Sequence, residues 1–64
     1  MKREQFLRQL RREARAAQVE FRVEESEGKG SHYRVYFGKR VSTVKSGELT
    51  PGYVKLVRRQ LGLE

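Results

Sequence analysis

The chain has no cysteine and no aspartate, and only one histidine, one proline and one methionine in 64 residues. Without cysteine, neither a disulfide framework nor a thiolate metal site is available, and this absence is neutral on compartment. One imidazole, with glutamate as the only carboxylate type, fits metal-dependent hydrolysis poorly. Glu20 and Glu24 share a strand face with no second kind of ligand beside them. Long apolar runs are also missing. The opening residues, Met1-Lys2-Arg3-Glu4-Gln5, are charged, so neither a signal peptide nor a membrane span is expected, and a cytoplasmic setting is the default expectation. The length allows one domain, 1–64, with one modest core.

What the chain has is positive charge. Fifteen Lys and Arg stand against eight Glu, a formal net charge of +7. Such an excess predicts attraction to nucleic acid, an acidic membrane surface or an acidic protein. The charge is uneven. Residues 2–15 carry six basic side chains and two glutamates, and residues 20–27 invert this with four glutamates around Arg22. From Lys29 to Lys45 there are five basic residues and no acidic one, together with the only histidine, Tyr33 and Tyr36. A run of charge is often a solvated face, and the acid-free stretch is the hardest to read that way.

Residues 3–17 show helical spacing. Phe6, Leu7, Leu10, Ala14 and Ala17 fall on one face, and Arg3, Arg8, Arg11, Arg12 and Arg15 take the remainder. Val19 to Glu24 alternates as a half-buried strand does. Residues 26–31, with two glycines, read as a loop, and His32 to Phe37 as a second strand. Gly38-Lys39 is a tight-turn signal before a third strand, Arg40 to Lys45. Residues 46–49 are a second loop. Thr50 is a helix N-cap with Pro51 at the first helical position, and the helix runs to about Leu61, stopping at Gly62. Val54, Val57 and Leu61 form its apolar stripe; Lys55, Arg58 and Arg59 read as solvent-facing. The order α-β-β-β-α predicts an α+β fold, two helices packed on one face of a three-stranded antiparallel sheet, with the other face open to solvent or a partner.

Alternation along the second strand puts Tyr33, Val35 and Phe37 on the core side. His32, Arg34 and Tyr36 take the open side. A two-residue turn at Gly38-Lys39 would set Thr43 beside Arg34 and Lys45 opposite His32. An imidazole titrates near ~6.5 in isolation, and neighbouring cations favour its neutral form, which can act as a base. RNA carries its own nucleophile in the ribose 2′-hydroxyl, so a base with cationic stabilisation from Lys45, Arg34 or Lys29 is enough to propose strand cleavage. Local chemistry alone leaves open the other reading, an ordinary exposed histidine on a nucleic-acid-binding face. Gly28-Lys29-Gly30-Ser31 lacks the spacing of a P-loop and leads into a strand, but suits a simple anion-binding loop beside His32. Tyr36 is the best candidate for stacking on a base, with Tyr33 and Tyr53 read as core.

Gly30-Ser31-His32 entering a strand, a short hairpin, then Gly47-Glu48-Leu49-Thr50-Pro51-Gly52 opening a helix that closes in Arg59-Gln60-Leu61-Gly62-Leu63, resembles the HicA toxins of bacterial toxin–antitoxin modules. The resemblance covers most of the chain and is strongest from Lys29 onward. It implies a fold like the double-stranded-RNA-binding domain and ribosome-independent mRNA cleavage without a metal or other cofactor. It also implies a cognate HicB antitoxin that covers the active site. The family's catalytic histidine maps onto His32, flanked by Gly30 and Ser31. Three features depart from the family pattern: a second histidine is Tyr33 here, a Gly-aromatic pair after helix one is Gln18-Val19, and the Glu24-Glu25-Ser26-Glu27 segment is more acidic. Lys29, Gly30, Ser31, Arg34, Lys45, Lys55 and Arg59 are therefore the expected substrate contacts around a catalytic His32. A non-catalytic RNA- or DNA-binding module, using Lys55, Arg58 and Arg59 on phosphates, and a basic adaptor for an acidic protein are the competing expectations.

Overall fold

A computed structural model of the chain describes residues 1–25 and 32–64. Helix α1 covers Arg3–Ala17, strands β1, β2 and β3 cover Phe21–Glu25, Tyr33–Phe37 and Arg40–Val44, and helix α2 covers Pro51–Gln60. The strands form one antiparallel sheet in the order β1-β2-β3, and the helices pack on one of its faces, α1 over β1 and α2 over β3. The expected two-layer α-β-β-β-α architecture is the observed one. Among the described residues no helix is long and apolar enough to cross a membrane.

Period-two alternation builds the sheet. Val35 and Phe37 of β2 and Ser42 and Val44 of β3 are buried, while Arg34, Val41 and Thr43 between them are exposed. Phe21 lies opposite Phe37, their rings edge to face at 6.4 Å, an arrangement that adds to simple area burial. The β2–β3 hairpin turns on Gly38-Lys39. Gly38 has φ +60° and Lys39 does not follow it into positive φ, as in a type II′ turn. That turn fixes the register, pairing Phe37 with Arg40 and Arg34 with Thr43. The strand expected to begin at Val19 begins at Phe21 instead, and Val19 is exposed. Its N–H closes the end of α1 on the Ala14 carbonyl, so the residue belongs to the helix terminus and not to the ladder.

The helices bury one stripe each. Phe6, Leu10 and Ala14 of α1 meet Val57 of α2 and Leu61 beyond it over the sheet, with Leu7 and Val54 packed partly against them and Ala17 exposed. Fully burying a Phe or Leu side chain contributes about 1.5–3 kcal/mol. Two side chains depart from the helical-face reading. Arg3 is buried, its guanidinium 3.6 Å above the Tyr33 ring, because an arginine stem packs along apolar surface and its flat head stacks on an aromatic face. Arg58 is half-buried, bonding Glu13 of α1 through two nitrogens at 2.7 and 3.1 Å and Glu64 at 2.9 Å. It is a clamp between the helices and is withdrawn from any role on a phosphate.

Both helices end alike. After α1, Gln18 adopts φ +59° and the N–H groups of Gln18 and Val19 return to the carbonyls of Arg15 and Ala14. After α2, Gly62 adopts φ +79°, and Gly62 and Leu63 return to Arg59 and Arg58 in the same pattern. This left-handed ending favours glycine, which the chain has at the second site and lacks at the first. At its start, α2 is capped by the Thr50 hydroxyl, which accepts from the Tyr53 N–H at 3.2 Å. Leu49 just before it is buried and bonds the Met1 carbonyl through its N–H at 2.8 Å, tying the loop to the head of α1.

Candidate active site and its cations

His32 is exposed and immediately precedes β2. Continuing the strand's alternation back by one residue sets it on the open face with Arg34 and Tyr36. The hairpin register, carried one step past the Tyr33–Val44 pair, brings the Lys45 backbone into line with it. His32 thus stands at one end of the sheet, and several contacts show what else gathers there. Arg3, at the head of α1, lies over Tyr33. Tyr53, in the first turn of α2, donates its hydroxyl to the Thr43 carbonyl at 3.2 Å and accepts from the Lys45 N–H at 3.0 Å. At the far end, Val19 beyond α1 abuts Gly38 and Gly62 beyond α2 abuts Arg40. Both helices therefore start at the His32 end and run toward the hairpin turn. A helix N-terminus carries roughly half a positive charge; at the head of α1 the Glu48 carboxylate already meets the Met1 ammonium and lies 3.7 Å from Lys2 Nζ, whereas the first turn of α2 holds no carboxylate.

The expected contacts divide among separate places. Arg34 is fully exposed on the open face, between Glu24 of β1 and Thr43 of β3. The Tyr36 hydroxyl, and then the Glu24 carboxylate, hold its guanidinium above the ordinary range. Tyr36 donates to Glu24 Oε1 at 3.0 Å, Arg22 Nη1 reaches Glu24 Oε2 at 3.3 Å, and the Arg22 guanidinium lies 4.2 Å from the centre of the Tyr36 ring. The open face is therefore an Arg22–Glu24–Tyr36–Arg34 cluster with one carboxylate for two guanidiniums. Sequence reading puts the charges of β1 on the polar side of their strand and Arg34 and Tyr36 on the polar side of theirs, but does not join Arg22 to Tyr36 or Glu24 to Arg34, because the residues between β1 and β2 do not fix that pairing as a two-residue turn does.

Lys45 has its Nζ 4.9 Å from the centre of the Tyr53 ring. Its ammonium is drawn to the β3 edge and α2, so its alignment with His32 is one of backbone, with the side chain engaged by an aromatic face. Lys55 and Arg59 are exposed one turn apart on α2, in the helix layer, and do not share the open sheet face with Arg34. Lys29, Gly30 and Ser31 lie outside the described residues. Between β3 and α2, Val41, Thr43, Tyr53, Leu56 and Gln60 line a groove of about 560 Å³, at whose rim Val41 and Leu56 are each about half exposed. Compared with protein-family models, curated proteins and solved structures, the chain matches none.

Proposed function

We propose that this chain is a HicA-type mRNA interferase, the toxin of a type II toxin–antitoxin pair, cleaving RNA in the cytoplasm without a metal through His32. The observation that carries the reading is the position of the only imidazole: exposed, at the end of the sheet where both helices begin. The Gly30-Ser31-His32 and Leu49-Thr50-Pro51-Gly52 motifs and the α-β-β-β-α order support the resemblance, and with it a double-stranded-RNA-binding-domain-like fold.

In the proposed reaction the neutral imidazole of His32 takes the proton of a ribose 2′-hydroxyl. The 2′-oxygen attacks the adjacent phosphorus, and the bond from phosphorus to the 5′-oxygen breaks. The products are a 2′,3′-cyclic phosphate and a 5′-hydroxyl, whose proton comes from water. Arg34 and the N-terminus of α2 stabilise the charge gathering on the phosphoryl oxygens. A single general base contributes about 10²–10⁴-fold, so the enzyme is slow. A HicB-type antitoxin covering the His32 end would silence it.

The test is one labelled mRNA incubated with wild type and His32→Ala in EDTA, with the ends read chemically. Wild type is expected to leave cyclic phosphates, and His32→Ala to bind but not cut; full cleavage by His32→Ala would overturn the assignment. The Arg22–Glu24–Tyr36–Arg34 cluster on the open sheet face, with two guanidiniums to one carboxylate, favours a second reading, a non-catalytic RNA- or DNA-binding module. That module would bind equally with or without His32 and cut in neither case.

A further inference from the structure

Helix α1 presents Arg8, Arg11, Arg12 and Arg15 on its exposed side, at spacings of three and four that place them on one face. The face is turned away from the sheet, since Phe6, Leu10 and Ala14 hold the opposite side in the core. Its own carboxylates do not neutralise it. Glu4 lies 3.7 Å from Arg3, and Glu13 is taken by Arg58 at 2.7 Å. Among the described residues, none of the four arginines makes an ion pair. Arg11 leans over Phe21 at 5.4 Å, an aromatic contact that leaves its charge uncompensated. A depression of about 470 Å³ is lined by Gln5, Arg8, Gln9 and Arg12, and one of about 200 Å³ by the four arginines themselves.

Four like charges within two turns repel one another unless an anion sits among them. From Arg8 to Arg15 the helix rises about 10.5 Å, so four cations stand along two turns, a density of positive charge that suits a polyanionic backbone. Guanidinium forks match phosphate oxygens in pairs. The face lacks what a protein partner would need at its centre: the exposed large apolar residues, Met1, Val19, Val41 and Leu56, all lie outside α1.

We propose that the outer face of α1 is a second binding surface, one that grips a nucleic-acid phosphodiester backbone on the opposite layer of the domain from the open sheet face. That the strand is RNA rests on the function proposed above; the backbone contact does not. The ladder lies toward the hairpin-turn end of α1, away from His32, so it anchors the strand and touches no reacting atom.

The experiment measures binding of a uridine 20-mer, a thymidine 20-mer and polyglutamate to three proteins, all carrying His32→Ala so that RNA stays intact. One has no further change, one adds Arg8→Gln and Arg12→Gln, and one adds Lys2→Gln and Lys39→Gln as an equal loss of charge. Glutamine keeps the helix, which circular dichroism verifies. The ladder variant is expected to bind both oligonucleotides about tenfold more weakly and to lose about 1.4 from the log–log salt slope, two contacts at ~0.7 each. The control is expected to lose much less. Equal losses in both variants, a ladder effect on only one of the two oligonucleotides, or a ladder-dependent grip on polyglutamate as strong as on the strands would each overturn the proposal. Wild-type cleavage separates the two ideas. Ladder-dependent binding without cleavage removes the nuclease reading alone, and cleavage with ladder-independent binding removes the ladder alone.

Discussion

Arg58 and Glu13 are 45 positions apart, yet they meet in a two-bond contact between the helices. Arg58 holds the Glu13 carboxyl below its ordinary range, mainly by hydrogen bonding and against the opposing pull of burial. A carboxylate that binds protons more weakly in the folded chain than in the unfolded one stabilises the fold above its unfolded pKa. That contribution fades as pH falls through its folded value. Stability is therefore expected to be flat from pH 7 to about 5 and to decline below about 4.3, the ordinary value for glutamate. In Glu13→Ala the decline should be shallower, and at pH 7 this variant is expected to lose about 1–2 kcal/mol, the worth of a charged hydrogen bond discounted for partial exposure. Urea melts at pH 7 and pH 3.5 check both. An unchanged acid limb would show that Glu13 is not the group responsible. His32 is the opposite kind of residue. It is exposed, so His32→Ala should leave stability within about 0.5 kcal/mol of wild type, and a thermal melt beside the cleavage assay distinguishes lost chemistry from lost fold.

At the scale of the element, the two helix endings form an internal comparison. The same pair of backbone bonds closes α1 on Gln18 and α2 on Gly62. A side chain in the left-handed region costs roughly 1–2 kcal/mol, and glycine escapes most of it. Gln18→Gly is expected to raise stability by up to about 1 kcal/mol, because glycine's greater freedom in the unfolded chain offsets part of the relief. Gly62→Ala should lower it by about 1–2 kcal/mol. A Cβ there meets the Arg40 side chain at 3.5 Å, an ordinary contact, so the cost is one of backbone. If thermal melts put both changes on the same side of wild type, the shared-ending account fails. The β3 edge offers a related case. Tyr53 occupies the outward Thr43 carbonyl and Lys45 N–H, which leaves the helix covering part of an otherwise unpaired strand.

For the molecule as a whole, charge and size act against one another. The nine buried apolar residues among the described ones make a small core, and single cores of this size rarely supply more than ~3–5 kcal/mol. A net charge of +7 opposes compaction. Screening weakens that repulsion more than it weakens the half-buried Arg58 clamp. Raising salt from 20 to 200 mM is therefore expected to stabilise the fold by on the order of 0.5 kcal/mol, about 2–4 °C in Tm. A fall in Tm over that range would mean that attraction between charges outweighs repulsion. Binding moves the other way, since each phosphate contact is lost to salt. The fold should thus be firmest where its grip on a strand is weakest.

Much of this was legible in the sequence because it is local. Periods of 3.6 and 2 assign side chains to faces without reference to the rest of the chain, so Phe6, Leu10 and Ala14 declared the buried side of α1. Alternation did the same for His32 and Arg34 against Val35. The Gly38-Lys39 turn carried the Arg34–Thr43 register with it. Leu49 had no period to betray it, sitting in a loop that only the Met1 carbonyl and the core make into an anchor. The tertiary structure alone decided which cations stay free. Arg3, Arg58 and Lys45 look like surface charge in the sequence, and each is claimed by a partner that the fold brings near: Tyr33, Glu13 and Tyr53. Arg8, Arg11, Arg12 and Arg15 are left without an ion pair among the described residues for the same reason, since pairing depends on distance through space and not along the chain. The sequence determined that this is a basic two-layer α+β domain with one exposed histidine. Only the packing determined that both helices begin at that histidine's end of the sheet, and that the Arg8, Arg11, Arg12 and Arg15 charges, which make no ion pair among the described residues, lie on the other layer.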